Sequence, residues 1–153
     1  MQAGVEDELE RQVCERIAER EGDLVVLLQA LIRFDTTTHV PGAPPRQEAA
    51  LQGYLADRLR RAGAAVDVSE PDPSLIDGHR MIPEGFTFSG RPQLVARFAG
   101  TGGGRALLLN GHVDVIDVEP HQAWDHPPFA GLVVDRTVRG RGACDMKGGV
   151  ACM

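Results

Sequence analysis

The sequence has little of what marks exported, membrane-bound or nucleic-acid-binding chains. Its 153 residues include three cysteines, Cys14, Cys144 and Cys152, an odd number with no framework spacing. That pattern speaks against a disulfide scaffold and for reduced thiols in a cytoplasmic protein. The acidic start, Met1-Gln-Ala-Gly-Val-Glu-Asp-Glu, has no apolar h-region, so no secretory signal is expected there. The longest apolar run, Leu24 to Ile32, contains Gln29 and is too short to span a bilayer, so no membrane association is expected. Positive charge is scarce: 16 Lys and Arg stand against 22 Asp and Glu, for a formal net charge of −6. A chain of that balance has no basic face to offer a nucleic acid. Arg58, Arg60 and Arg61 fall at helical spacing and read as a solvated face. The chemistry of a P-loop is missing too. Gly100-Thr101-Gly102-Gly103-Gly104 leads into Arg105-Ala106 and an apolar run, and Asp145-Met146-Lys147-Gly148-Gly149 lacks the hydroxyl after its lysine, so the first reads as a turn, not a phosphate cradle.

What is present is an ordinary core-forming chain, 42% apolar and 25% charged, with room for one domain. Val5, Leu9, Val13 and Ile17 recur every fourth residue and predict one apolar stripe on a helix. Gly22-Asp23 is expected to interrupt it, with Asp23 capping a continuation through Leu24, Leu27, Leu28, Leu31 and Ile32. Asp35 to Thr38 and the Pro-rich stretch Pro41 to Pro45 predict a loop. Leu51, Leu55 and Leu59 predict a helix from about Arg46 to Arg61, stopped by Gly63. Alternation over Ala64 to Ser69 predicts a strand, and Glu70 to Pro92 a long surface excursion. Leu94 to Phe98 and Ala106 to Leu109 predict two strands with the glycine turn between them. Leu132 to Arg139 predicts a hairpin turning at Asp135-Arg136, and a helix opens after Lys147. No internal repeat is present. Helices and strands mix throughout, which makes the class α/β.

Two short elements carry chemistry. In Leu107-Leu108-Leu109-Asn110-Gly111-His112-Val113-Asp114, an apolar run leads to His112 and Asp114, two positions apart. In extended chain such residues face the same side, so Asp114 can take one imidazole N–H and leave the other nitrogen for a metal. His-x-Asp also arises by chance, and a satisfied histidine is the bland alternative. The second element is Gly140-Arg141-Gly142-Ala143-Cys144-Asp145-Met146-Lys147-Gly148-Gly149. Its glycines allow a sharp turn that carries Asp145 to a cation; alternatively, Asp145 merely caps the helix that follows.

Taken together, the His112–Asp114 run, Trp124 with Pro128-Phe129, and the Gly-Arg-Gly-Ala-Cys-Asp145-Met-Lys-Gly-Gly turn resemble the acetylornithine deacetylase and succinyl-diaminopimelate desuccinylase family. This family of co-catalytic zinc hydrolases also includes aminoacylases and glutamate carboxypeptidases. Leu31 to Thr36 and Gly90-Arg91-Pro92 resemble the corresponding stretches, so the likeness runs from about Leu24 to the last residue and is most specific over residues 107–149. The resemblance implies a three-layer αβα zinc-exopeptidase-like catalytic domain, of which residues 1–153 form the N-terminal part. It implies that His112 binds one metal, that Asp145 bridges two zinc ions (cobalt being an alternative), and that Asp114 serves catalysis by orienting His112. It further implies a cis peptide after Asp145, and Trp124 and Phe129 packing beside the site.

The implied reaction is hydrolysis of an amide in an N-acyl amino acid or short peptide, by a family whose full-length members are expected to be homodimers. In that family the general-base glutamate, a neighbouring glutamate ligand and further ligands lie downstream of the Asp-Met-Lys-Gly-Gly turn. A lid or dimerisation domain belongs to it as well. His39, His79, His121 and His126 lie in loops without ligand spacing to one another, with His121 and His126 expected to be exposed. A catalytic zinc normally keeps three protein ligands, so these residues alone are expected to hold metal weakly and to be inactive. The alternative is a non-catalytic fragment that associates with a partner through an uncovered sheet edge and apolar face.

Overall fold

The computed structural model describes residues 2–38, 46–76 and 87–153, with side chains for 8–38, 46–75 and 87–153. The Pro41–Pro45 loop, the centre of the Glu70–Pro92 excursion, His39, His79 and the side chain of Val5 therefore lie outside the described residues. Helix α1 (Gln2–Glu19) is followed by α2 (Glu21–Ile32) after a break at Arg20, where ψ rises to 12°. The break falls two residues before the expected Gly22-Asp23. Glu21 and Asp23 instead occupy the first turn of α2, where carboxylates complement the helix dipole.

Helix α3 (Glu48–Arg61) closes on Gly63, whose φ is +94°. There Gly63 N–H donates to Arg60 O and Ala64 N–H to Leu59 O, at 2.9 and 3.0 Å. This is a Schellman cap, and Gly63 takes the left-handed conformation it demands. Arg58, Arg60 and Arg61 fill the last turn of α3, where cations are favoured.

Strand β1 (Ala65–Ser69) pairs antiparallel with β2 (Gln93–Arg97), in the register Ala65↔Arg97 to Ser69↔Gln93. Val66, Val68, Leu94 and Ala96 share the more buried face of this ribbon, on which α3 packs. The excursion between the strands opens with a single 3₁₀ turn, Pro73–Ile76. At its far end the Arg91 guanidinium meets the buried Glu48 carboxylate at 2.9 Å. Strands β3 (Leu132–Val134) and β4 (Thr137–Arg139) form the expected hairpin. Asp135 and Arg136, at φ +50° and +60°, supply the left-handed pair that matches strand twist. Helix α4 (Gly148–Cys152) follows Lys147.

One predicted strand does not form. Residues 106–109 carry no ladder; Leu107 and Leu108 are 83% and 89% exposed, and Leu109 is exposed as well. The partner expected for them, β2, is paired with β1 instead, so the turn at Gly100–Gly104 links no hairpin. A run of leucines becomes a strand only when a neighbouring edge accepts its hydrogen bonds, and no described residue does so here.

The core gathers Leu31 of α2 with Leu51 and Leu55 of α3. Phe34, Leu94, Val113 and Val150 pack around them, so helices, ribbon and the His112 segment share one interior. Each fully buried leucine contributes about 1.5–3 kcal/mol. The predicted stripe on α1 is helical but open: Leu9, Val13 and Ile17 are all exposed. We expect Leu51→Ala to cost about 2–5 kcal/mol in chemical denaturation and Leu108→Ala to stay within about 0.5 kcal/mol. Equal costs would mean that residues 106–109 are packed as a strand after all.

Candidate metal centre

Residues 36–38 run extended beside residues 113–115. Val115 N–H donates to Thr36 O at 3.1 Å and Thr38 N–H to Val115 O at 2.9 Å, a parallel bridge centred on Thr37 and Val115. The buried Thr36 hydroxyl donates to Val113 O at 2.6 Å. These bonds fix the backbone on both sides of Asp114. Asp35 is in turn held by the Thr37 amide at 3.0 Å, the Thr37 hydroxyl at 2.6 Å and the Arg46 guanidinium. Burial pushes the Asp35 carboxyl up, but these donors outweigh it and its pKa is lowered.

Asp145 arrives from the other side, on a turn spanning Ala143–Lys147. The Asp145–Met146 peptide is cis, as the resemblance implies. Gly142 precedes the turn at φ +80°, and a Cβ there would lie 2.6 Å from Cγ1 of Val115, so only glycine fits between turn and strand. A Cβ on Gly140 would come as close to Cγ2 of Ile32. The glycines flanking Arg141 thus let the turn approach both α2 and the His112 segment.

The two elements meet at the imidazole. His112 Nε2 lies 2.9 Å from Oδ1 of Asp145, and Nδ1 lies 3.1 Å from the Asp114 carbonyl and 3.3 Å from its Oδ1. Both ring nitrogens therefore face oxygen acceptors, which only the doubly protonated imidazolium satisfies in full. Burial works to lower the His112 pKa, but the Asp114 carbonyl and the two carboxylates outweigh it, and the pKa is raised above 6.5. Asp114 faces the ring through its backbone carbonyl as closely as through its carboxylate. The three residues line a cavity of about 90 Å³ with Val115, Ile116 and Arg141.

The spacing of the pair suits a shared cation. A nitrogen and an oxygen 2.9 Å apart can both lie about 2.0–2.2 Å from one zinc ion. With Nδ1 engaged by Asp114, Nε2 is the nitrogen that faces the shared point. The pair fits part of a donor set, not a whole one: among the described residues no three His, Cys, Asp or Glu side chains are placed to hold one metal ion. His121 is exposed, as expected, and pairs with Glu119 at 3.1 Å. His126 departs from expectation: it is half-buried, edge-on to Trp124, because that ring lies over it. Cys14, Cys144 and Cys152 are all free and exposed.

Two residues escaped the reading of the sequence. Arg141 stacks on Trp124, 5.0 Å from the ring centroid, and donates to Asp117 O at 2.9 Å. Trp124 itself donates to Val118 O at 3.0 Å, so it stands behind the cavity wall. Lys147 is 0% exposed, and its Nζ donates to Phe34 O at 2.7 Å. Burial lowers its pKa to about 8, against the opposing pull of Asp35. Nothing in the local pattern distinguishes this lysine from a solvated one.

The raised His112 pKa yields a prediction. In the absence of added metal the ring should titrate above 6.5 by NMR, and Asp145→Asn should move it down. The stability that the pairing lends is present in full below 6.5 and fades as pH rises through the folded value; it is small, because the pair is solvent-screened. A ring titrating at or below 6.5 in both proteins would contradict this geometry.

The chain is similar to several known proteins. Residues 108–153 match the model of Peptidase family M20/M25/M40. The chain is 39% identical over 130 residues to a succinyl-diaminopimelate desuccinylase of Methylorubrum extorquens, covering 84% of this chain and 28% of that protein. It is 31% identical over 140 residues to the N-formyl-4-amino-5-aminomethyl-2-methylpyrimidine deformylase of Bacillus subtilis, covering 90% of this chain and 28% of the relative. The chain thus spans little more than a quarter of the length of these relatives. The crystal structure of human carnosine dipeptidase 1 superposes with a TM-score of 0.70, at 24% identity, over 92% of this chain and 28% of that one. That likeness shows a shared, mixed α/β fold. The segment that holds His112, Asp114 and Asp145 thus lies within the stretch that is similar to peptidase family M20/M25/M40.

Proposed function

We propose that residues 1–153 are the N-terminal part of a three-layer αβα catalytic domain, in a metal-dependent hydrolase that cleaves amide bonds of N-acyl amino acids or short peptides. The observation that carries this reading is the 2.9 Å approach of His112 Nε2 to Asp145 Oδ1, with Asp114 on the opposite ring nitrogen. In this reading His112 and Asp145 are metal ligands, and Asp114 holds the imidazole in the orientation and tautomer that present Nε2 to the cation. Zinc bound there supplies Lewis acidity toward an amide carbonyl, with cobalt as an alternative. The small-molecule substrate follows from the named chemistry of the relatives, a desuccinylase and a deformylase. The chain is similar to both, so the choice of acyl group falls to residues outside the shared segment. Assembly of the full-length protein as a homodimer and a cytoplasmic location belong to the same proposal. No described helix is long and apolar enough to cross a membrane.

A second reading is favoured by one observation. The run Leu107–Leu109 is exposed, as are Val95 and Phe98, and apolar side chains left open to solvent favour association where they cluster. In that reading the 153 residues form a non-catalytic fragment that binds a partner.

Equilibrium dialysis separates the two readings. The 153-residue chain should retain zinc weakly, because the described residues supply two donors where a catalytic site normally has three. That weak binding should fall further in His112→Ala and in Asp145→Asn, and the chain should not hydrolyse N-acyl amino acids. Tight stoichiometric retention would overturn the two-donor count. Retention unchanged in both variants would overturn the metal reading and leave the association reading standing.

A further inference from the structure

The two proposed ligands are 33 residues apart in sequence and ride on different elements, so something must set the distance between them. Their own contact is solvent-exposed and weak for that purpose. The segment Phe34–Thr38 reaches both elements at once. On one side it bonds residues 113–115 through Thr36 and Thr38. On the other, its first carbonyl, Phe34 O, accepts the Lys147 ammonium at 2.7 Å. Phe34 lies just past the Arg33 C-cap of α2, near the helix end where a cation is favoured. Lys147 also closes its own turn, its N–H donating to Gly142 O at 2.9 Å. Its methylenes lie against Gly142, 3.2 and 3.5 Å from where a Cβ would stand.

A core-facing position two residues beyond Asp145 would be filled at lower desolvation cost by methionine or leucine. A lysine there differs from them by one directed bond, and that bond joins the Asp145 turn to the segment that holds the His112 strand. We propose that Lys147 is a positioning residue: through the Phe34 carbonyl it fixes the Asp145 turn against the Phe34–Thr38 segment and so sets the Asp145 carboxylate at His112 Nε2.

The inference rests on the reading of His112 and Asp145 as a metal pair, but its test uses the 153-residue chain without added metal. The readout is the long-range ¹H–¹⁵N spectrum of the His112 ring, with Asp145→Asn as the reference for a lost contact. Lys147→Met keeps length and apolarity and removes the bond; its His112 signals should move to the Asp145→Asn pattern. Leu55→Ala, a core change that removes no group of the Lys147–Phe34 bond, controls for stability and should leave those signals in place at an equal or larger loss in Tm. Lys147→Gln, neutral but still able to donate, should fall between wild type and Lys147→Met, and it decides the matter where Lys147→Met does not fold.

His112 signals unmoved in the Lys147 variants, or moved as far in Leu55→Ala, would overturn the proposal. So would failure of both Lys147 variants to fold under conditions where Leu55→Ala does, since Lys147 would then serve the core alone. Failure of the metal reading is seen separately, as zinc leaving the wild-type ring signals unchanged.

Discussion

One imidazole facing two carboxylate-bearing residues is the contact on which the rest of the site depends. Asp114 lies at Nδ1 and Asp145 at Nε2. Both carboxylates favour positive charge on the ring between them. A proton on His112 can supply it, and so can a cation at the shared point. The surrounding structure is arranged to bring these groups together. The parallel bridge at Thr37 and Val115 carries residues 112–114, and the glycines at 140 and 142 let the Asp145 turn close on them.

Much of this was legible in the sequence, and the boundary of what was legible has a physical meaning. Helices α1 to α3 follow from the recurrence of leucine, valine and isoleucine every third or fourth residue, a property of one segment alone. The β3–β4 hairpin follows from its turn, Asp135-Arg136, again a local matter. His112 and Asp114 were legible because a spacing of two fixes a common side in extended chain. Asp145 was legible through the resemblance carried by its glycine-rich turn.

What was not legible depends on distant partners. Leu107–Leu109 reads as a strand, yet strand formation requires an edge to pair with, and β2 is already engaged by β1. Propensity describes the segment; pairing belongs to the whole sheet. Lys147 fails for the same reason. Its burial is decided by Phe34, 113 residues away, and no periodicity within the Asp-Met-Lys-Gly-Gly turn reports that carbonyl. The opened stripe on α1 shows the converse: periodicity there gives the helix correctly but does not say what covers its apolar side.

If His112 and Asp145 hold a metal as proposed, the charges of the site tie its affinity to pH. The His112 ring is placed to donate from both nitrogens, and the oxygen that accepts from Nε2 is the one that would share a cation with it. A bound metal must therefore displace a proton that Asp145 stabilises, and the same carboxylate that favours the metal also favours its competitor. Asp114 differs: it lies on Nδ1, so it supports the proton and the metal alike and is not displaced by either. On that reading Asp145 would govern the exchange of proton for cation, whereas Asp114 would govern only which nitrogen takes part. Removal of Asp145 should then flatten the pH dependence of zinc binding as well as weaken it, while removal of Asp114 should weaken binding and leave that dependence on the remaining Nε2–Asp145 pair.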